Sequence, residues 1–230
     1  MKTIGILGGM SWESSAQYYT LLNRMVRDRE GGIASARILM HSFNFAEIAK
    51  LQSVGEWDRL GAMLADAARG LERAGADCIL IATNTMHCVA PQAEAAVTCP
   101  LIHIADPLGD ALRADGHTKV GLLATRFTIE MPFYAERLAA HGIEVLLPRA
   151  DHREEMHRII FEELCAGQLN DVSREFYRDV IDHLKARGAG AIALACTEIM
   201  LLIQPEHTAL PLYDTTALHT RAAVDFALLD

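Results

Sequence analysis

Ala189-Gly190-Ala191-Ile192-Ala193-Leu194-Ala195-Cys196-Thr197-Glu198-Ile199 is an apolar run of small and β-branched residues that stops at a cysteine. Such a run predicts a strand buried on both faces, as in a parallel sheet, with the polar triplet Cys196-Thr197-Glu198 at its carboxyl end. Ligands of open α/β sheets bind at that end. The same pattern occurs earlier, where Gly75-Ala76-Asp77-Cys78-Ile79-Leu80-Ile81-Ala82 leads into Thr83-Asn84-Thr85. Laying Gly75 on Gly188 puts Ala82 on Ala195 and Thr83 on Cys196. Further upstream, Ile4-Gly5-Ile6-Leu7 matches Val120-Gly121-Leu122-Leu123, and the same offset lays Tyr18 on Tyr134. Two repeats in the same order point to a duplicated chain.

The rest of the chain fits this plan. Strands are predicted at residues 3–8, 36–41, 78–82, 100–106, 118–123, 144–147 and up to Cys196, with Leu210-Pro211-Leu212-Tyr213-Asp214 near the end. Helices are predicted from Trp12, over about 57–74, from Met86 onward, through Leu138, and over about 153–165 and 173–186, with a last one at the tail; Asn44 and Gln52 fall in a predicted loop. Alternating strands and helices imply an α/β fold with parallel sheets and right-handed crossovers. The expected division is a first lobe of residues 1–102 plus 209–230, to which the tail returns, and a second lobe of residues 103–208. If the lobes face each other about a pseudo-twofold axis, the matched strand ends point into one cleft, which suits chemistry on both faces of one carbon.

Composition narrows the function. The chain has 230 residues, of which 51% are apolar, and 21 Lys and Arg against 30 Asp and Glu give a net charge of −9. That charge repels phosphate backbones and argues against a nucleic-acid partner. No apolar stretch approaches the length of a membrane span. Met1-Lys2-Thr3-Ile4-Gly5-Ile6-Leu7 runs straight into Trp12-Glu13 without a small-residue cleavage site and reads as a first strand. Cys78, Cys88, Cys99, Cys165 and Cys196 are odd in number, scattered and without metal-site spacing. This pattern points to a reducing, cytoplasmic setting and to no metal centre.

Three constellations carry chemistry. Cys196 is either a small core residue or, near the positive start of a following helix, a thiol of lowered pKa that serves as base or nucleophile. Its polar neighbours Thr197 and Glu198 favour the second. Thr83-Asn84-Thr85-Met86-His87 offers hydroxyls, an amide and an imidazole, although by itself it reads as an ordinary helix N-cap, with His87 as a hydrogen-bonded packing residue. Gly5-Ile6-Leu7-Gly8-Gly9 departs from the dinucleotide spacing and the second strand ends without an acid for a ribose, which excludes NAD. The turn after it, and Thr125 to Thr128 in the second half, can each offer N–H groups to an anion or simply join strand to helix.

Gly8-Gly9-Met10-Ser11-Trp12-Glu13-Ser14, Thr83-Asn84-Thr85-Met86-His87 and Cys196-Thr197-Glu198 together resemble the aspartate/glutamate racemase family, cofactor-independent enzymes with two Rossmann-like lobes. The resemblance covers nearly the whole chain and is nearest to the L-aspartate/glutamate-specific and broad-specificity bacterial members. It implies an isomerase that moves a proton at Cα without pyridoxal phosphate, usually as a homodimer. Family members present two cysteines, from C-N-T-x-H and G-C-T-E motifs. By resemblance Cys196 takes one catalytic role and Thr83 inherits the other. Met10, Gln52, Asn84, Thr85, Thr125, Thr128, Thr197 and Glu198 are then expected to bind the amino-acid substrate.

This chain departs from the family twice. A threonine hydroxyl hardly ionises near neutrality, so Thr83 is expected to relay a proton through water, and the two directions should differ in rate while the equilibrium stays at equal amounts. Cys165-Ala166-Gly167 stands where many aspartate racemases carry a lysine for the side-chain carboxylate, which opens the substrate range to other amino acids. The rival readings are a one-cysteine decarboxylase of the same superfamily and an amino-acid-binding protein without turnover.

Overall fold

Strand β1 (Thr3–Gly8) is buried along almost its whole length because it is covered on both faces. Ile4 and Ile6 join a cluster with Tyr18, Leu22 and Val26, whereas Leu7 joins a second cluster with Leu60, Leu64 and Ile81. That two-sided burial is what an uninterrupted apolar run demands of a parallel strand. The computed structural model describes residues 1–229. They form two compact units, Met1–Ile104 together with the segment from Ala217 onward, and Ala105–Thr216.

The first unit holds a three-stranded parallel sheet of order β2-β1-β3, with β2 at Arg37–Ser42 and β3 at Cys78–Ile81. Helix α1 (Trp12–Glu30) places Tyr18, Leu22 and Val26 on one stripe, four residues apart, against one face. Asn44 caps α2 (Phe45–Ser53) by accepting the Ala46 N–H at 3.1 Å. Helix α3 (Trp57–Arg73) buries Leu60, Leu64 and Leu71 against the other face, and each such leucine stabilises the fold by about 1.5–3 kcal/mol. Beyond β3 come a 3-10 turn, Thr85–Val89, and a short α4 (Ala90–Glu94).

The second unit holds a four-stranded parallel sheet of order β5-β4-β6-β7: Glu144–Leu146, Lys119–Ala124, Ala191–Ala195 and Leu212–Asp214. Its helices are α5 (Ala105–Ala114), α6 (Arg126–Glu130), α7 (Phe133–Ala140), α8 (Ala150–Arg158), α9 (Asp171–Ala186) and α10 (Ile199–Leu202), and α11 (Thr215–Leu228) closes the chain. The order β2-β1-β3 recurs as β5-β4-β6, so the sequence repeats correspond to strands in matching positions. The repeated tyrosines match as well. Tyr18 and Tyr134 are both fully buried, the first bonded to His219 at 2.8 Å and the second hydrogen-bonded to Thr215.

Four sequence expectations are corrected. Residues 100–106 are not a strand: Leu101 makes a single bridge to Ile79, and Ala105 begins a helix whose first turn holds Asp106 and Pro107, both suited to a helix start. Leu212–Asp214 does not return to the first lobe but pairs with β6, so the boundary falls after Thr216 rather than at 208. Gln52 stands on helix α2 rather than in a loop, because the Asn44 cap and the Phe45, Ile48 spacing start a helix there. The helix expected over 153–165 ends at Arg158 and runs on as a π-helical turn, Ile159–Glu163, and a 3-10 turn, Leu164–Ala166. No helix among the described residues is long and apolar enough to cross a membrane.

The turn after β1 depends on Gly9. Its φ is +80°, and a Cβ there would meet the backbone nitrogen and oxygen of Phe43. Gly167, with φ +73°, has open space around it. Both substitutions to alanine put a side chain on a positive φ that favours glycine, and only Gly9→Ala also displaces backbone. Urea denaturation is expected to show Gly9→Ala losing clearly more stability than Gly167→Ala; equal losses would contradict the close approach at Phe43.

Candidate active site

Register decides where the polar turns lie. In the first sheet Leu7 pairs with both His41 and Ile81, so β1, β2 and β3 end side by side. The turns that follow contain Gly8 to Ser11, Phe43 to Asn44, and Thr83 to Thr85. In the second sheet Ala124 pairs with Ala195, so Thr125 and Cys196 each follow directly on a paired residue. Each unit thus places the turns that carry Met10, Thr83 to Thr85, Thr125 and Cys196 at the carboxyl edge of its sheet, with Gln52 and Thr128 on the helices that follow.

In the first unit, Met10, Gln52, Asn84 and Thr85 are buried and Thr83 is half-buried. Gln52 donates its Nε2 to the Met86 sulfur at 3.2 Å, which lays α2 against the Thr85–Val89 turn. The Met10 side chain is part of the core with Leu7, Ile48 and Met86, which leaves only the backbone of this residue outside that packing. The turn offers fewer N–H groups than its sequence suggested. Gly9 N–H donates to Ser15 Oγ at 2.7 Å, Ser14 N–H to Ser11 Oγ at 3.2 Å, and Ser15 Oγ–H returns to the Ser11 carbonyl at 2.9 Å.

His87 is 1% exposed and bonded at both nitrogens. Nδ1–H donates to the Thr83 carbonyl at 2.8 Å, and Nε2 accepts the Ile104 N–H at 3.2 Å. These partners require one tautomer of the neutral ring. Burial, then the nearby His103 and His219 rings, hold its pKa well below the usual imidazole value.

In the second unit, Thr125 and Thr128 are buried with their hydroxyls 3.2 Å apart. Cys196 is half-buried, and its Sγ–H donates to Glu198 Oε2 at 3.0 Å. Thr197 Oγ1–H donates to the same oxygen at 2.7 Å. Burial, with the Glu198 carboxylate next, pushes the Cys196 thiol well above its ordinary pKa. The expectation of a lowered value is therefore overturned: α10 is only four residues long, while a carboxylate stands in contact with the sulfur. Tyr177 is buried nearby, its phenol raised by burial and then by Cys196.

Glu198, read from sequence as a substrate contact, accepts hydrogen bonds from both Cys196 and Thr197. A thiol hydrogen-bonded to a carboxylate can hand over its proton and return as a thiolate of high proton affinity, a strong base. Sequence reasoning set His87 aside as packing and did not foresee that it grips the turn carrying Thr83. The Thr83-to-His87 interval of four residues was the available signal, since it lets a side chain reach back to a turn carbonyl.

Comparisons with known proteins agree with this architecture. The family model described as Asp/Glu/Hydantoin racemase matches residues 7–223. A crystal structure of a candidate Asp/Glu racemase from Yersinia pestis is 46% identical, with each chain covered in full and a TM-score of 0.95. An aspartate racemase homologue from Pyrococcus horikoshii OT3 is 33% identical over 99% of each chain, with a TM-score of 0.87. A broad specificity amino-acid racemase of Bacillus subtilis is 23% identical over 176 residues, 73% of this chain and 72% of that protein.

The buried imidazole has a consequence for stability. The unfolded chain takes up a proton on His87 below about pH 6.5 whereas the folded one keeps the ring neutral, so stability present above that pH is lost as pH falls. The expected loss is about 1.4 kcal/mol per pH unit from this residue. Urea midpoints at pH 7 and pH 5 should separate more in the wild type than in His87→Asn; equal separations would contradict the assignment.

Proposed function

We propose that this chain, which belongs to the Asp/Glu/Hydantoin racemase family, interconverts the L and D forms of aspartate or glutamate by moving a proton at Cα, with Cys196 as the reacting thiol. Family membership and its racemase relatives make the chain an isomerase. The observation that carries the mechanism is the Cys196 Sγ–H bond to Glu198 Oε2 at 3.0 Å. No finding favours the decarboxylase or the non-catalytic binding module over it.

The Cα–H bond is very weakly acidic, so a base of high proton affinity is required together with donors that stabilise the carbanion. In the proposed sequence Glu198 accepts the thiol proton, and the thiolate then takes the α-proton of the L enantiomer. A proton is returned to the other face of Cα from water held at the Thr83 hydroxyl. The hydroxide left there and the proton on Glu198 recombine, which restores the starting state. Asn84, Thr85, the Met10 turn, Gln52 and the Thr125 and Thr128 hydroxyls are proposed to hold the substrate's carboxylate and amine. Thr197 keeps Glu198 aimed at the sulfur. Because a hydroxyl is a poor base, kcat from L to D is expected to exceed kcat from D to L, with KM compensating so that the equilibrium constant stays at one. We place the enzyme in the cytoplasm as a homodimer, as family resemblance and cysteine usage suggest.

The reading is tested by incubating each L- and D-amino acid with the protein in D₂O and separating products by chiral chromatography. Deuterated antipodes of aspartate or glutamate are expected; the absence of inversion with every amino acid would overturn it. Glu198→Gln tests the thiol's partner. Removing the charge that raises Cys196 should shift to lower pH the limb of kcat/KM for the L enantiomer that rises with thiol ionisation, and removing the proton acceptor should lower the rate well below that limb by about a hundredfold or more. An unmoved limb would exclude Glu198 from setting the thiol.

A further inference from the structure

We infer that His87 is a positioning residue for the Thr83 side of the reaction, its Nδ1–H fixing the carbonyl of Thr83 and hence the turn that presents this threonine. The inference rests on the racemase reading for Thr83 but draws on contacts within the first unit alone. His87 holds two successive carbonyls: its side chain reaches Thr83 at 2.8 Å and its backbone N–H reaches Asn84 at 3.1 Å. On its far side the ring accepts the Ile104 N–H at 3.2 Å. It therefore bridges the turn after β3 to the segment after Leu101, whose neighbour Ile102 donates to the Ile79 carbonyl at 3.0 Å.

The ring has no room to swing. His103 lies 4.6 Å away and His219 5.7 Å away, centroid to centroid. His219 is itself tied down, with Nδ1 2.8 Å from the Tyr18 hydroxyl and Nε2 2.7 Å from the Ile102 carbonyl. A residue needed only for packing would be apolar, because burying an imidazole costs free energy unless both nitrogens find partners. Here both do, and one of the partners is the turn that carries Thr83. Displacing that turn by a fraction of an ångström is enough to spoil proton delivery to a carbanion.

Three variants separate positioning from packing. His87→Leu fills the space without either bond. In His87→Asn the short amide reaches the Thr83 carbonyl, and in His87→Gln the longer amide reaches the Ile104 N–H instead. The reading is the ratio of α-deuterium exchange into L-glutamate or L-aspartate to inversion, taken in D₂O. This ratio does not depend on how much enzyme is folded. Because exchange through Cys196 survives while delivery at Thr83 fails, the ratio should rise about tenfold or more in His87→Leu and His87→Gln and stay near wild type in His87→Asn. A wild-type ratio in His87→Gln, or in folded His87→Leu, overturns the inference.

A second measurement needs no turnover. Nitrogen-15 NMR of the histidine side chains should find His87 neutral and protonated at Nδ1 at pH 7, and an Nε2-protonated or charged ring overturns the contact with Thr83. Should the wild type exchange no α-proton at all, the racemase reading fails, and the tautomer measurement still decides the contact.

Discussion

Parallel pairing in register is the constraint on which the rest depends. Because Leu7 pairs with Ile81, and Ala124 with Ala195, neighbouring strands finish level, and the chain must turn at the same height on each. A parallel strand cannot continue into a hairpin, so each turn leads into a helix or a 3-10 segment, and the residues before that segment are left at the sheet's edge. Thr83 and Cys196 occupy this position in their respective units. The apolar strands behind them have little chemistry of their own; their complete burial fixes where the polar residues stand.

The electrostatics at Cys196 set burial and a nearby carboxylate against a short helix, and the first two win. A raised thiol has fewer thiolates at neutral pH, but each is a stronger base, and a Cα–H bond demands strength. In the proposed mechanism Glu198, 3.0 Å from the sulfur, is the group that receives the thiol proton, which then moves across one hydrogen bond. Thr197 donates to the same carboxylate oxygen and keeps it aimed. The opposite case is His87, whose lowered proton affinity suits a ring that donates at one nitrogen and accepts at the other.

The strand runs, the duplicated order and the residues at the strand ends were legible in the sequence because each is a local pattern. The duplication lined up β1 with β4 and β3 with β6, as the sheet orders bear out. What stayed hidden were pairings between distant segments. Ile102 to Asp106 has the composition of a strand, but capture of the Ile104 N–H by His87 and the helix-starting Asp106 and Pro107 end it after one bridge. Leu212–Asp214 could have joined either sheet on composition alone, and its place beside β6 is a tertiary outcome. The sign of the Cys196 shift was misjudged because sequence suggests a helix without giving its length, whereas the Glu198 contact depends on a rotamer.

The proton on Cα is where this account is most exposed. Cys196→Ala leaves a small residue at the end of β6, keeps Thr83 and the sheet intact, and removes the one group assigned enough proton affinity to take the α-proton. The decisive measurement is α-deuterium incorporation into L- and D-glutamate by this variant in D₂O, followed by NMR. The account predicts that exchange into the L enantiomer, whose α-proton Cys196 takes, falls by at least about a thousandfold. Exchange at the wild-type rate in a folded Cys196→Ala protein would contradict it.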